Sequence, residues 1–133
     1  MTTSATAEFQ VTNWEEDALL EADGGPKVTR ASVTMAFEGD LEGDGTVEWL
    51  MSYDNGSKAR FVGMERIVGK VGDRSGTFVL QHIGAFDGQT ATAELLVVPG
   101  TGTGDLEGLS GEGTFEAGMG ADGRRKLTLE YEL

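Results

Sequence analysis

Apolar and polar residues alternate along most of the chain with a period of two, which is typical of half-buried β-strands. Runs rich in Val, Thr, Phe, Leu and Met carry the alternation, and Gly, Asp and Asn punctuate them. The pattern predicts eight strands, over residues 5–13, 28–39, 46–53, 59–71, 75–86, 90–98, 109–117 and 126–133. Residues 14–22 fit one short helix or an irregular crossing instead.

Tight turns are predicted at five dipeptides whose residues tolerate the positive φ angles of short hairpin connections. These are Asp44-Gly45, Asn55-Gly56, Gly72-Asp73, Asp87-Gly88 and Asp122-Gly123. A meander of eight strands would expose two sheet edges unless the sheet closed on itself. We therefore expect one domain over residues 1–133, an all-β, eight-stranded antiparallel up-and-down β-barrel. A β-sandwich is the rival architecture, but it usually needs longer crossing connections.

Two-residue turns fix strand register and so assign each side chain to one face of the sheet. The turn at Asn55-Gly56 would pair Glu48 with Gly63, and the turn at Gly72-Asp73 would pair Gly63 with His82. One face is then mostly apolar, and we interpret it as the interior, although the reverse assignment stays open. The face comprises Val33, Met35, Phe37, Leu50, Phe61, Ile67, Phe78, Leu80, Phe86, Leu95, Val97, Phe115, Leu127, Leu129 and Tyr131.

Three ionisable residues interrupt this predicted interior: Glu48, Glu65 and His82, the only histidine of the chain. Burial disfavours a charged carboxyl, whereas a carboxylate partner favours a charged imidazole, and such opposed effects suit acid–base chemistry. We therefore take Glu65 and His82 as candidate catalytic residues, with Glu48 as a further candidate beside them across Gly63. The alternative is that Glu65 and His82 only satisfy each other's hydrogen bonds.

The inner and outer faces of the predicted barrel indicate different partners, a small molecule inside and another protein chain outside. The inner face would bind a small, largely apolar molecule, and the candidate ligand-binding residues are Phe37, Leu50, Phe61, Gly63, Leu80 and Leu95. The opposite face is too apolar for a solvated wall, since it collects Val47, Trp49, Met51, Tyr53, Val62, Met64, Val68, Val79, Ile83 and Leu96. An apolar patch outside a barrel marks a protein contact, so we expect a homo-oligomer through the outer face near Trp49, Met51, Val62 and Met64.

Composition and charge narrow the remaining classes of function. A formal net charge of −13 over 133 residues argues against a nucleic-acid partner. The chain has no cysteine, which excludes disulfides and thiol catalysis. Residues 1–7 lack the pattern of a signal peptide and the aliphatic run 95–98 is too short to span a bilayer, so we expect a cytoplasmic protein with no membrane partner.

No metal or other cofactor is expected from the motifs. Residues 40–51 begin like a calcium-binding loop, but Met51 stands where that loop needs a glutamate. Residues 100–104 are glycine-rich like a phosphate-binding loop, but the lysine of that motif is missing and no helix is predicted to follow. Both segments are more simply connections between strands.

Four segments resemble a bacterial family known as domain of unknown function 3224. They are residues 24–33 (GGPKVTRASV), 61–66 (FVGMER), 74–82 (RSGTFVLQH) and 98–104 (VPGTGTG), and the likeness extends over essentially the whole chain. The resemblance implies an eight-stranded barrel similar to allene oxide cyclase and related in architecture to lipocalins and dirigent proteins. It implies no established activity. Allene oxide cyclase uses an apolar cavity and a glutamate on a fatty-acid epoxide, so Glu65 or Glu48 could act similarly by analogy of fold.

Three functions remain open at this point. The first is a barrel that binds a small apolar molecule and acts on it as an isomerase or cyclase through Glu65 and His82. The second is a non-catalytic carrier or sensor similar to lipocalins, which binds the molecule without changing it. The third is a structural oligomer whose barrel is filled by its own side chains. Whether the protein is an enzyme is therefore left undecided by the sequence.

Overall fold

The computed structural model describes residues 2–21, 26–54, 58–118 and 125–133, and all regular structure in these ranges is β-strand. The strands are β1 (Thr3–Glu21), β2 (Lys27–Gly39), β3 (Leu41–Tyr53), β4 (Ala59–Val71), β5 (Arg74–Phe86), β6 (Thr90–Val97), β7 (Thr103–Gly104), β8 (Ser110–Gly118) and β9 (Arg125–Glu132). Nothing in these ranges forms a helix long and apolar enough to cross a membrane.

The sheet closes into a barrel. Its strands follow the order β4-β3-β2-β1-β9-β8-β6-β5, all neighbours are antiparallel, and β4 also pairs with β5. The two-residue strand β7 adds to β5 beside the barrel. The prediction of an all-β, closed, eight-stranded antiparallel barrel is therefore confirmed, with one short strand added.

The predicted turns have mixed outcomes. The two-residue turn at Gly72-Asp73 is confirmed, since Val71 pairs with Arg74 across it. The chain also reverses after β5 at Asp87-Gly88, but not through a two-residue turn, because Phe86 pairs with Ala91. The Asp87 carboxylate accepts hydrogen bonds from the backbone amides of Gln89 and Thr90 there. Asp44-Gly45 is no turn, because it lies inside β3. The dipeptides Asn55-Gly56 and Asp122-Gly123 lie outside the described residues.

β1 is longer than predicted. The expected short helix or irregular crossing over residues 14–22 is wrong, because β1 continues to Glu21 and Trp14 pairs with Val33 of β2. The register between the two strands shifts after Val11 and again after Ala18. Each shift changes which residues of β1 face inward, so the alternation of apolar and polar residues is interrupted there.

β3 and β4 pair one residue away from the predicted register. Trp49 lies opposite Gly63, at the position that a two-residue turn assigns to Glu48. The ladder leaves residues 54–58 between the two strands, an odd number, whereas a two-residue turn leaves an even number. A slip of one residue turns every side chain of the strand to the other face of the sheet.

The placement of the β3 side chains is corrected accordingly. Val47, Trp49 and Met51 are buried in the barrel, so their predicted place on the outer face is wrong. Leu50, 48 % exposed, and Glu48 point outward, so their predicted place on the inner face is wrong. Glu48 therefore does not join the buried acid and imidazole, and Trp49 and Met51 cannot belong to an outer contact surface.

The remaining inner-face residues are placed as predicted. Glu65 and His82 are 0 % and 1 % exposed, which excludes the reversed assignment of the two faces. The side chains predicted beside them are fully buried, except for two half-buried rings near the barrel ends, Phe86 and Tyr131. The buried set from the sequence analysis comprises Val33, Met35, Phe37, Phe61, Ile67, Phe78, Leu80, Leu95, Val97, Phe115, Leu127 and Leu129.

Candidate functional site

Glu65 and His82 meet inside the barrel because adjacent strands carry them in diagonal positions. In the ladder of β4 and β5, Glu65 pairs with Leu80 and His82 pairs with Gly63, so both ionisable side chains point inward one step apart. His82 Nε2 lies 2.9 Å from Glu65 Oε1. The structure therefore brings together the two residues that the sequence analysis selected.

Trp49 is a third member of the site, and the sequence analysis missed it. Its indole Nε1–H donates a hydrogen bond to His82 Nδ1 at 3.3 Å. Gly63 makes room for the indole, because a Cβ at Gly63 would lie 2.6 Å from Trp49 Cδ1. The position opposite Gly63 that the sequence analysis predicts for Glu48 is thus occupied by Trp49.

The second oxygen of Glu65 is in a different situation from the first. Oε2 is buried and accepts no hydrogen bond from any part of the chain that the structure describes. It rests against Gly45 of β3, where a Cβ would lie 2.9 Å from both Glu65 Cδ and Phe37 Cε2. Gly45 therefore has to lack a side chain for the carboxylate to fit in this position.

Aromatic rings surround the buried pair. The His82 ring lies 5.6 Å from the Phe115 ring and 5.9 Å from the Trp49 ring, measured between centroids. Phe61 lies 5.2 Å from Trp49 and stacks on Phe115 at 6.1 Å. Hydrogen bonds in such an apolar, low-dielectric environment are stronger than in water, and unpaired polar atoms are correspondingly more costly.

The candidate ligand-binding residues divide between the two faces. Phe37, Phe61, Leu80 and Leu95 are buried inside the barrel, and Gly63 is half-buried in its wall. Leu50 instead lines an open groove of ≈ 530 Å³ on the outer face. The other apolar side chains on the outer wall of this groove are Val62, Met64 and Ile83. Glu48 lies on its rim with Arg30 at 3.8 Å.

A second polar cluster joins the first three strands. Glu16 Oε2 accepts hydrogen bonds of 2.6 Å from Thr29 Oγ1 and from the Tyr53 hydroxyl, and Oε1 accepts one of 3.0 Å from Trp14 Nε1. Burial alone raises the pKa of Glu16, but these hydrogen bonds and the charge of Lys27 together lower it below its ordinary value. Burial, followed by the hydrogen bond to Glu16 and its negative charge, raises the pKa of Tyr53.

The two clusters are linked by two indole rings in tilted contact. The ring of Trp14, 43 % exposed, lies 5.6 Å from the ring of Trp49, which reaches His82. Beyond Glu8, β1 makes no ladder with β9 in the described part of the chain. Trp14 therefore lies on the part of β1 that pairs only with β2 among the described strands, and its ring contacts Trp49 of the buried site.

Few side chains that could bind a metal ion lie at this site. Across residues 2–21, 26–54, 58–118 and 125–133, no group of three or more His, Asp or Glu side chains converges on one point. Glu65 and His82 are only two such ligands, and one atom of each is already used in their mutual contact. The chemistry available here is therefore that of a hydrogen-bonded acid and imidazole.

Comparisons with known proteins agree with this architecture. A family model described as "Protein of unknown function (DUF3224)" matches residues 5–131. A solved structure from Shewanella oneidensis MR-1, described as a protein with unknown function from the DUF3224 family, is similar to this chain with a TM-score of 0.83. The two are 31 % identical, and the alignment covers 100 % of this chain and 98 % of the other. No curated protein matches the chain.

Proposed function

The chain belongs to the DUF3224 family of proteins of unknown function, and we propose that this member binds a small, largely apolar molecule in its barrel. The observation that carries the proposal is the unpaired Glu65 Oε2 in an otherwise satisfied buried site. Leaving a buried acceptor without a donor costs roughly 1–3 kcal/mol. A ligand that donates a hydrogen bond there would recover this free energy, and that would favour the bound state.

The surroundings of the site suit an apolar ligand. Phe37, Phe61 and Phe115 present ring surfaces around the acid and imidazole. Because these rings pack closely, we expect the ligand to move side chains apart rather than to fill a rigid cavity. We propose that the ligand enters beside Trp14, since its ring is exposed on one side and contacts Trp49 on the other.

Catalysis is the second candidate, and one contact favours it. An acid and an imidazole 2.9 Å apart can move a proton on a bound molecule, as an isomerase or cyclase requires. A carrier would use the same contacts and return the molecule unchanged. Incubating the protein with candidate ligands and analysing the recovered molecules by mass spectrometry separates these two functions.

Native mass spectrometry of freshly purified protein tests the binding proposal. We expect a retained small molecule in the wild type, and its loss in Glu65→Gln and in His82→Ala. Glu48→Gln is the matched control, because it changes an outward carboxylate 56 % exposed on the same barrel and should keep the molecule. If ligand binding is unchanged in both variants of the buried pair, Glu65 and His82 serve only the fold.

We also propose that copies of the chain associate through the outer face of β3, β4 and β5. The contact predicted from the sequence keeps Val62 and Met64 and loses Trp49 and Met51, which are buried. Leu50 and Ile83 take their places beside the groove, since both side chains are about half exposed. The cytoplasmic location expected from the sequence stays a proposal as well.

A further inference from the structure

The contact between Trp49 and His82 determines where the imidazole carries its proton. An indole nitrogen can only donate a hydrogen bond, because its lone pair belongs to the ring system. His82 Nδ1, 3.3 Å from Trp49 Nε1, must therefore be the acceptor and carry no proton. A neutral imidazole has one N–H group, so its proton lies on Nε2.

Glu65 accepts a hydrogen bond from this N–H group. With the N–H on Nε2, His82 donates to Glu65 Oε1 at 2.9 Å. The opposite arrangement, in which a protonated Glu65 donates to Nε2, would require the imidazole proton on Nδ1. That proton would then face the indole N–H, and two donors would meet at a distance of 3.3 Å. Trp49 therefore selects one direction for the whole chain of hydrogen bonds.

We propose that Trp49 is a positioning residue, which holds His82 as its Nε2–H tautomer, so that among the buried side-chain atoms of the described residues Glu65 Oε2 is the one left to a ligand. This inference rests on the proposed binding function and names the ligand class. The Oε2 atom of a Glu65 carboxylate can only accept a hydrogen bond, so the site takes apolar molecules that carry an O–H or N–H group. Ethers and ketones of the same shape offer no donor and would leave Oε2 unpaired.

Nitrogen-15 NMR of the ligand-free protein tests the tautomer directly. His82 is the only histidine, so both imidazole nitrogen signals belong to it, and their couplings to the carbon-bound ring protons distinguish Nδ1 from Nε2. At neutral pH we expect the chemical shift of an unprotonated nitrogen at Nδ1 and of a protonated nitrogen at Nε2. A proton on Nδ1, alone or together with one on Nε2, overturns the inference. This measurement needs no ligand and does not depend on the proposed function.

A pair of variants tests whether Trp49 is what selects the tautomer. In Glu65→Gln the side-chain amide can present either oxygen or NH2 to Nε2, so residue 65 no longer dictates the direction of the bond. We expect Glu65→Gln to retain the Nε2–H tautomer, because Trp49 still donates to Nδ1. Adding Trp49→Phe removes that donor, and a population with the proton on Nδ1 should appear. If the tautomer is the same in both, Trp49 does not set it.

Two matched probes, 2-naphthol and 2-methoxynaphthalene, test the ligand class by titration calorimetry. The naphthol can donate to Oε2 and the ether cannot, so we expect about tenfold tighter binding of the naphthol to the wild type. In Glu65→Gln the amide oxygen faces His82 and NH2 replaces Oε2, so the preference should disappear or reverse. Equal affinities in the wild type overturn the ligand class and leave apolar binding intact. Failure of both probes to bind contradicts the proposed function, while the tautomer is still decided by NMR.

Discussion

The two tryptophans of the chain donate hydrogen bonds in unlike surroundings. Trp49 is buried and its N–H meets a buried imidazole nitrogen, whereas Trp14 is partly exposed and its N–H meets Glu16. Trp49→Phe should lower the free energy of unfolding by about 2–4 kcal/mol, because His82 Nδ1 loses its donor and part of the indole volume stays empty. Trp14→Phe should cost about 0.5 kcal/mol.

Urea unfolding of both variants, followed by far-ultraviolet circular dichroism, gives the comparison. The two substitutions are chemically identical, so the difference between them isolates the surroundings. Equal losses would show that the buried hydrogen bond from Trp49 adds nothing to stability.

Gly45 is a residue whose absent side chain shapes the site. A Cβ there would meet the Glu65 carboxylate and the edge of the Phe37 ring. Gly45→Ala should therefore destabilise the protein by about 1–3 kcal/mol through overpacking. In a Glu65→Ala background the cost should be smaller, because the carboxylate that crowds the new methyl group is gone. Thermal unfolding of the four proteins in this cycle measures the coupling, and an unchanged cost would place the crowding elsewhere.

At the scale of the strand, β3 shows which sequence signal is decisive. Thr46, Glu48 and Ser52 alternate with Val47, Trp49 and Met51, and that alternation alone predicts the observed inner face. A two-residue turn at Asn55-Gly56 predicts the opposite face, because it pairs Gly63 with Glu48 instead of Trp49 and so shifts the register by one residue. Burial of a whole apolar face outweighs the preference of a single turn, so the periodic pattern is the better guide where the two conflict.

Strand register also explains which residues of the site the sequence predicts. Glu65 and His82 were found because the turn at Gly72-Asp73 keeps its two-residue geometry, which fixes the β4–β5 register. Trp49 was missed because its strand was assigned to the wrong face. The place of Trp14 beside Trp49 follows an irregularity in the pairing of β1 with β2 after Val11, which has no signature in the local sequence.

Adjacent residues of β3 test its register. Met51→Ala should destabilise the protein by about 2–5 kcal/mol, because the side chain is 5 % exposed and its removal leaves a cavity. Leu50→Ala should cost about 0.5 kcal/mol, since Leu50 faces outward. Chemical denaturation of the two variants measures both values. The reverse ranking would restore the register of the two-residue turn.

The Glu16 cluster ties β1, β2 and β3 together, and its electrostatics can be observed through Tyr53. The hydrogen bond to Glu16 and its negative charge add to the effect of burial in raising the pKa of Tyr53. Removing the charge with Glu16→Gln should therefore let the phenol ionise at a lower pH than in the wild type. Absorbance of the tyrosinate band during an alkaline titration reports this shift.

The titration is cleanest in a Tyr131→Phe background, which leaves Tyr53 as the only tyrosine. Glu15→Gln is the control, because Glu15 is the exposed neighbour on β1 and is not among the groups that shift the pKa of Tyr53. An equal shift in both variants would mean that overall charge, rather than the direct contact, governs the phenol.

For the molecule as a whole, charge and apolar surface are unevenly distributed. The formal net charge of −13 opposes association of identical copies over most of the surface. The outward positions of β4 are an exception, because they carry Arg60, Arg66 and Lys70 between exposed apolar side chains and no acid. This face therefore combines exposed apolar side chains with a strand whose outward positions carry no negative charge.

Association of the chain should therefore depend on this face and on no other. We expect the wild type to sediment as an oligomer at micromolar concentration and Met64→Glu to sediment as a monomer, because a carboxylate would lose its hydration at the centre of the contact. Leu20→Glu is the control, since Leu20 of β1 is even more exposed, at 69 %, but lies away from β4. Loss of the oligomer in both variants would assign the contact to β1 as well. A monomeric wild type would contradict the proposal that the apolar outer face is an interface.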